Sequence, residues 1–447
     1  MPSSAELYPV VLLWLQALGV SGHPTARAAL GQLVTALLVG QSLRSTALMR
    51  ALLSPKPVPA RQRYKRVARA WTRRWLSSAW LTPSLVRAAL ALVGPDPAGR
   101  PTAGLTHLAL DSVRCGPWEI FTLGVAWHGR VLVVGWEVLA YPWPKGRFTP
   151  AVCALIERVA AAWPSDRSAH LVADRAFPSR PLFGALQRAG WGWTVRLRAT
   201  LPVTVAGQAR TVREHLAHAA LAGWTAVAAG YGRGSGALAG TLVIGRGLEV
   251  IPAHQAGPAS LARRAARPAR RRQHLATKHP RQRPDASAQT DAWVALFSTH
   301  PAWLAATTSY GRRWATEGSY RDGQGGWDGQ HGWDLEPTVA RLTDPATVGG
   351  VVGLWALGTL LQSWVGDQVG QPAAPPVVRA VRQEWTTTGR LSVWARGRLA
   401  LTEPSGRLRA WLPTTLAAGA RRVALPTPTS LATAASAGRA APSTQAA

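Results

Sequence analysis

Apolar residues recur at helical spacing through Ala28, Leu30, Leu33, Val34, Leu37 and Leu38, which predicts a helix with one buried face. Gly40 ends that stretch, and Ser42 stands where it could cap a second helix closing near Leu53. A third helix is expected after Pro57 and Pro59, so residues 1–92 read as helical. Gly94-Pro95-Asp96-Pro97-Ala98-Gly99-Arg100-Pro101 is a linker by composition. Beyond it the period shortens. Apolar runs at Leu105–Leu110, Ile120–Trp127, Val131–Leu139, Ala169–Ala173 and Trp191–Leu197 predict strands, with a hairpin turn at His128-Gly129-Arg130. Helices are expected over Thr149–Trp163 and Pro181–Ala189. That order predicts an α/β fold, a mixed sheet with helices packed on it.

From about residue 199 the sheet pattern is interrupted. Several strand-like pieces lie between Val203 and Ile251, with a glycine-rich hairpin tip at Gly230–Gly236. No Gly-Lys-Ser/Thr follows those glycines, which argues against a phosphate loop. The block Arg263–Arg283 is dense in arginine and lacks acid. The core pattern resumes with a strand at Trp293–Ser298, a helix from about Ala302 to Asp322 and an apolar helix around Val348–Leu361. From about Leu425 the chain is rich in Ala, Ser, Thr and Pro and reads as a disordered tail.

Charge changes the picture. Of 447 residues, 51 are Lys or Arg against 21 Asp or Glu, a net charge of +30. Such a surplus calls for a polyanionic partner, and nucleic acid is the first candidate. The stretch Arg61–Arg74 concentrates the surplus on one expected helix, interleaved with Trp71 and Trp75 and without acid. Two cysteines, Cys115 and Cys153, exclude a disulfide framework and a cysteine-based zinc site. Pro345–Gly366 is uncharged and long enough to consider as a membrane span, but its glycines and short apolar stretch favour a buried helix. The expectation is a soluble, cytoplasmic protein with no membrane partner.

Acids are scarce, so their positions matter. Asp111 and Asp174 each directly follow an expected buried strand, where side chains converge on one edge of an α/β sheet. Two carboxylates there repel unless a cation binds between them, and Mg²⁺ or Mn²⁺ prefers such oxygen ligands. The alternative is that each aspartate caps a turn or helix. A third candidate is Glu317. On a continuous helix Tyr310, Arg313, Glu317 and Arg321 share one face. Asp322, Asp328, Asp334 and Glu336 compete for the same role. His215 and His218 lack the Glu of a metalloprotease helix and read as packing residues.

Together these residues resemble the DDE transposases of bacterial insertion sequences, in the subgroup marked by Tyr-x2-Arg-x3-Glu-x6-Lys. Tyr310, Arg313 and Glu317 match that spacing, while Gln324 stands at the Lys position. His107–Ser112 resembles the segment of the first Asp. Leu171–Phe177 resembles that of the second, with its Asp-Arg-x-Phe form at Asp174 and Arg175. The likeness runs from about residue 25 to about residue 400. It implies a ribonuclease-H-like core with a β-rich insertion between the second Asp and the Glu. That stretch is more than twice as long as the one between the two aspartates.

The organisation expected is a helical DNA-binding domain over 1–100 and the first part of the core over 101–198. The insertion occupies 199–291, the second part of the core with C-terminal helices 292–424, and the tail 425–447. The resemblance implies catalytic and metal-ligating roles for Asp111, Asp174 and Glu317, with Mg²⁺ as cofactor and Mn²⁺ able to substitute. It implies DNA contacts by Tyr310, Arg313, Arg321, Gln324 and Arg175, and double-stranded DNA as both transposon end and target. A homodimer on paired ends and a nucleoid-associated location follow from the same likeness. In such proteins an aromatic residue holds a flipped base; Trp224 and Trp293 are candidates, but with 22 tryptophans each reads first as a packing residue. Two other readings use the same residues: a nuclease of this fold that cuts without joining, and an inactive, transposase-derived DNA-binding protein, which the neutral Gln324 favours.

Overall fold

A computed structural model of the chain describes residues 4–20, 23–54, 58–218, 225–233, 237–246, 293–324, 333–371, 374–380, 393–402 and 411–412. The basic block Arg263–Arg283, Trp224, Asp328 and the tail from Leu425 lie outside them, as do the side chains of Trp293, Arg321 and Gln324.

The N-terminal part is helical, as its apolar period predicts: α1 (Ser4–Ala17), α2 (Pro24–Gly40), α3 (Ser45–Ala51), α4 (Ala60–Trp71) and α5 (Ser78–Leu92). Pro24 opens α2, where its missing N–H costs nothing, and the His23 ring accepts from the Thr25 N–H. Ser42 does not cap α3. Its hydroxyl donates to Asp334 Oδ2 at 2.6 Å and accepts from the Arg44 N–H at 3.1 Å, just ahead of α3, which begins after Arg44 with no side-chain cap. On α4, Val67, Ala70 and Trp71 are buried while Arg61, Lys65, Arg66 and Arg69 are exposed. Its basic face is therefore solvent-facing, and the helix stops before Arg73 and Arg74.

The sheet comprises β1 (Thr106–Cys115), β2 (Trp118–Trp127), β3 (Arg130–Ala140), β4 (Ala169–Ala173), β5 (Gly192–Arg196), β6 (Pro202–Val205), β7 (Gln208–Thr211), β8 (Thr225–Tyr231), β9 (Leu238–Arg246) and β10 (Trp293–Ser298). It is one ten-stranded mixed sheet in the order β3-β2-β1-β4-β5-β10-β9-β8-β6-β7. β1, β4 and β5 are mutually parallel, β2 and β3 form an antiparallel meander beside them, and β10 closes the other side antiparallel to β5. Helices α6 (Phe148–Ala161) and α7 (Arg180–Arg188) carry the chain from β3 to β4 and from β4 to β5, and the short α8 (Val212–His218) follows β7. The β2–β3 turn needs left-handed backbone at two residues, and His128 (φ 46°) and Gly129 (φ 75°) supply it.

Two expectations are corrected here. The sheet is not interrupted at residue 199, since β8 and β9 pair onward from β10 and extend it. β1 does not end at Leu110. Its apolar alternation stops there, but pairing with β2 runs to Cys115↔Trp118 because the ladder is made by backbone groups whatever the side chains are. Asp111 therefore lies within the strand.

A third correction concerns the helix expected over Ala302–Asp322. It is broken into α9 (Trp303–Gly311) and α10 (Trp314–Gln324). Across the break each N–H reaches only three residues back: Arg312 to Ser309 (3.0 Å), Arg313 to Tyr310 (3.0 Å), Ala315 to Arg312 (3.1 Å) and Thr316 to Arg313 (2.9 Å). The tight turn parts two neighbouring arginines. Arg312 donates to Asp96 Oδ1 at 3.0 Å, whereas Arg313 reaches Asp111.

After the short α11 (Leu335–Val339) comes α12 (Pro345–Gly370), followed by α13 (Val393–Thr402). By length and composition α12 alone among the described helices could cross a membrane, yet 94% of its apolar window is buried inside the protein. It packs on β3, α2, α4, α5 and α13. Its glycines are points of close approach. A Cβ at Gly350 would lie 2.1 Å from the Trp71 carbonyl oxygen, and one at Gly366 would lie 1.8 Å from that of Val393. The main apolar core thus runs from Leu7 through the sheet to Leu412, with Trp14, Trp136, Trp333, Trp355 and Trp364 fully buried, and a smaller cluster gathers Val243, Val294, Leu296, Ala306 and Tyr310.

Candidate active site beside two parallel strands

Leu108, Ala109 and Leu110 on β1 and Leu171, Val172 and Ala173 on β4 are all fully buried, and burial on both sides fixes the register of the two strands. Their last parallel pair is Leu110↔Ala173. Asp111, still within β1, and Asp174, the first residue past β4, follow that pair, so the packing below them brings two carboxylates to one region of the sheet.

α10 brings the third. Arg313 stands between two acids: Nη1 donates to Asp111 Oδ2 at 3.1 Å and Nη2 to Glu317 Oε1 at 3.2 Å. Thr316 donates its hydroxyl to the same Asp111 oxygen at 2.7 Å, and the Ser112 N–H donates to Oδ1 at 2.9 Å. Tyr310 donates to Asp174 Oδ1 at 3.4 Å, with Arg196 Nη1 at 4.0 Å from the same atom. The side chains of Arg313 and Asp111 are 9% and 16% exposed, Asp174 29% and Glu317 46%, so the cluster opens toward Glu317.

α10 is held there by the β2–β3 hairpin. Ser319 Oγ accepts from the Val131 N–H at 2.6 Å, Asp322 pairs with Arg130, and Tyr320 shares a 2.6 Å hydrogen bond with Thr122, the residue opposite Asp111 on β2. Gly318 lies against the turn, where a Cβ would be 2.8 Å from the Gly129 carbonyl oxygen.

Burial pushes the Asp111 carboxyl above its usual range, and Asp174 adds to this, while Arg313, Thr316 and the Ser112 N–H oppose it. Burial likewise raises Tyr310 to about 12, so it stays a donor at neutral pH. Burial alone would weaken the charge of Arg313. Tyr310, Asp111, Asp174 and Glu317 outweigh that, and Arg313 stays protonated.

The other candidates are dispersed. Asp322 is bound to Arg130, Asp334 to Arg44 and Ser42, and Glu336 is exposed on α11. Arg321 and Gln324 lie on α10, their side chains outside the described residues. Arg175 is exposed beside Asp174, and its carbonyl accepts from Arg198 Nε at 2.8 Å. A cavity of about 250 Å³ opens there, lined by Arg175, Arg196, Arg198, Thr200, Val212 and Leu216 among others. His215 hydrogen-bonds with the Val203 carbonyl at 3.0 Å, a packing role.

Sequence reasoning missed Thr316, Arg196 and Tyr320. Thr316, three residues after Arg313 on the same helical face, carries no charge, and a reading based on acids passes over it. At the opposite ends of the same strands it also missed a buried histidine cluster. His107 and His300 each hydrogen-bond with Ser309, at 3.0 and 2.9 Å, and His300 stacks on His170 with ring centroids 4.2 Å apart. Burial lowers all three, His107 to about 4.

Among the described residues no three His, Cys, Asp or Glu side chains are grouped so as to hold a metal ion. Arg313 joins the acids in place of one. The donor chemistry nonetheless fits a hard divalent cation, since all three side chains are carboxylates. Arg313 Nε, buried without a hydrogen-bond partner, shows that the guanidinium is not fully satisfied where it stands.

Fold and site define a mixed α/β protein with an arginine-bridged carboxylate cluster where β4 ends beside β1. No protein-family model and no curated protein sequence matches the chain.

Proposed function

We propose that the chain is a DDE-type transposase with a ribonuclease-H-like core, cutting and joining transposon-end DNA. The observation that carries this reading is that Asp111 and Asp174 directly follow the last parallel pair, Leu110↔Ala173, and that Asp111 is linked to Glu317 through Arg313. The order β3-β2-β1-β4-β5 supports the core assignment, and the strands β6 to β9 between Asp174 and Glu317 suit the expected insertion.

Asp111, Asp174 and Glu317 would hold Mg²⁺, or Mn²⁺ in its place. A divalent cation bound there supplies charge that activates a water or a DNA 3′-hydroxyl and stabilises the leaving oxygen at phosphorus. The protein's own residues orient the strand. Tyr310, neutral and buried, presents a donor beside Asp174. Arg313 offers a planar fork suited to phosphate oxygens. Arg175, Arg196 and Arg198 make the flank of Asp174 positive. The exposed face of α4 adds sequence-independent affinity for the DNA backbone, screened by salt.

The test is cleavage of supercoiled plasmid carrying the gene's own flanking sequences, with Mg²⁺, beside Asp174→Ala. Metal-dependent cuts at those ends, absent in the variant, are expected. Salt-sensitive binding without cutting, equal in both proteins, would instead identify a DNA-binding protein without the activity. Cutting with no joined product would leave the nuclease reading.

A further inference from the structure

The acid cluster is closed by a side chain of the chain itself. Arg313 gives one Nη to Asp111 and the other to Glu317, and both pairs lie within normal hydrogen-bond distance. A cation shared by those two carboxylates must compete with the guanidinium for the same oxygens. Asp111 Oδ2 is further committed to Thr316, and Oδ1 to the Ser112 N–H.

The guanidinium cannot simply leave. A buried arginine removed from its acids and given nothing in exchange pays a large desolvation cost. It needs an anionic acceptor, and it already has spare donor capacity, since Nε is buried without a partner. The exposed ring of Trp314, 5.0 Å from the guanidinium carbon, offers a second favourable surface for the displaced charge. Glu317, 46% exposed, is the open side of the cluster.

We infer that Arg313 is an internal counter-ion that keeps divalent cations off Asp111 and Glu317 until a phosphate-bearing strand draws it away, so that cation and nucleic acid bind cooperatively. This rests on the proposed role of the three acids as cation ligands. No bond is made or broken in the exchange. One guanidinium moves from two carboxylates to phosphate oxygens, and one divalent cation takes its place. By linkage each ligand strengthens the other by the same factor.

The experiment is Mn²⁺ binding by the full chain, followed by electron paramagnetic resonance of the free ion. It is run with and without a short DNA duplex, subtracting Mn²⁺ bound by duplex alone. Arg313→Met keeps length and removes the charge. Without DNA it should bind Mn²⁺ at least about fivefold tighter than the wild type, the lower end of ordinary coupling. In the wild type DNA should tighten Mn²⁺ binding by a similar factor, and in Arg313→Met that gain should vanish. Arg313→Lys, a point charge unable to bridge both acids, should bind Mn²⁺ with intermediate affinity and carries the test should the Met variant fail to fold.

Mn²⁺ binding that Asp174→Asn abolishes but that Arg313→Met and Arg313→Lys leave at wild-type affinity would overturn the inference and spare the cation site. Mn²⁺ binding equally weak in the wild type, Arg313→Met and Asp174→Asn would overturn the cation-site reading and the inference with it.

Discussion

Glu317 is placed by the way α10 seats on the β2–β3 turn, and a single methyl group tests that seating. In an exposed helix interior Gly→Ala is favourable by about 1 kcal/mol. At Gly318 the new Cβ would lie 2.5 Å from Arg130 Nη1 and 2.8 Å from the Gly129 carbonyl oxygen. The arginine tip is flexible, but it is held by Asp322, and the carbonyl belongs to a turn fixed by two left-handed residues. Forcing a methyl into such a contact costs about 1–3 kcal/mol. The clash should cancel or outweigh the propensity gain, giving a net loss of up to about 2 kcal/mol. Gly184 in α7 is the control, since a Cβ there meets only the end of Arg188 at 3.5 Å. Gly184→Ala should stabilise by about 0.4–1 kcal/mol. The assay is urea unfolding by tryptophan fluorescence, comparing midpoints at constant slope. A Gly318→Ala protein more stable than wild type by as much as Gly184→Ala would refute the close seating of α10, and with it the placement of Glu317 beside Arg313.

Other consequences are as direct. The histidines near Ser309 are held neutral in the folded state, so acid favours the unfolded chain, which binds the extra protons. For His107 stability should fall as pH drops from about 6.5 toward about 4, by about 1.4 kcal/mol per pH unit. In His107→Asn the slope of urea stability against pH over that window should shrink by about one proton, and an unchanged slope would contradict the buried neutral ring. On α4, Arg66→Gln and Arg69→Gln should each reduce the salt slope of duplex binding by about 1, read from binding isotherms at several salt concentrations. An identical slope in both would remove α4 from the DNA-contacting surface. Ser319→Ala leaves the buried Val131 N–H without its acceptor and should cost about 1–3 kcal/mol in the same urea assay.

Much of the core could be read from local pattern. β4 was predicted at its observed bounds because a short, mostly apolar run bounded by polar residues reads as a buried strand. The apolar period of α2 and the apolar length of α12 likewise predicted buried helices, since periodicity and composition are properties of a segment alone. The sequence also carried the scarcity of acids that drew attention to Asp111, Asp174 and Glu317, and the excess of arginine that points to a polyanion. What it could not carry was anything decided by a partner far along the chain. β1 runs past Leu110 because β2 lies beside it. Ser42 ties the loop before α3 to Asp334, far along the chain. The helix from Trp303 breaks at Arg312 and Arg313, whose guanidiniums go to Asp96 and Asp111, both distant in sequence. The strands after residue 199 join the same sheet because β10 offers them an edge. Local pattern sets which segments are strand or helix. Hydrogen bonds and ion pairs between distant residues decide where each one stops, and so which side chains meet at the site.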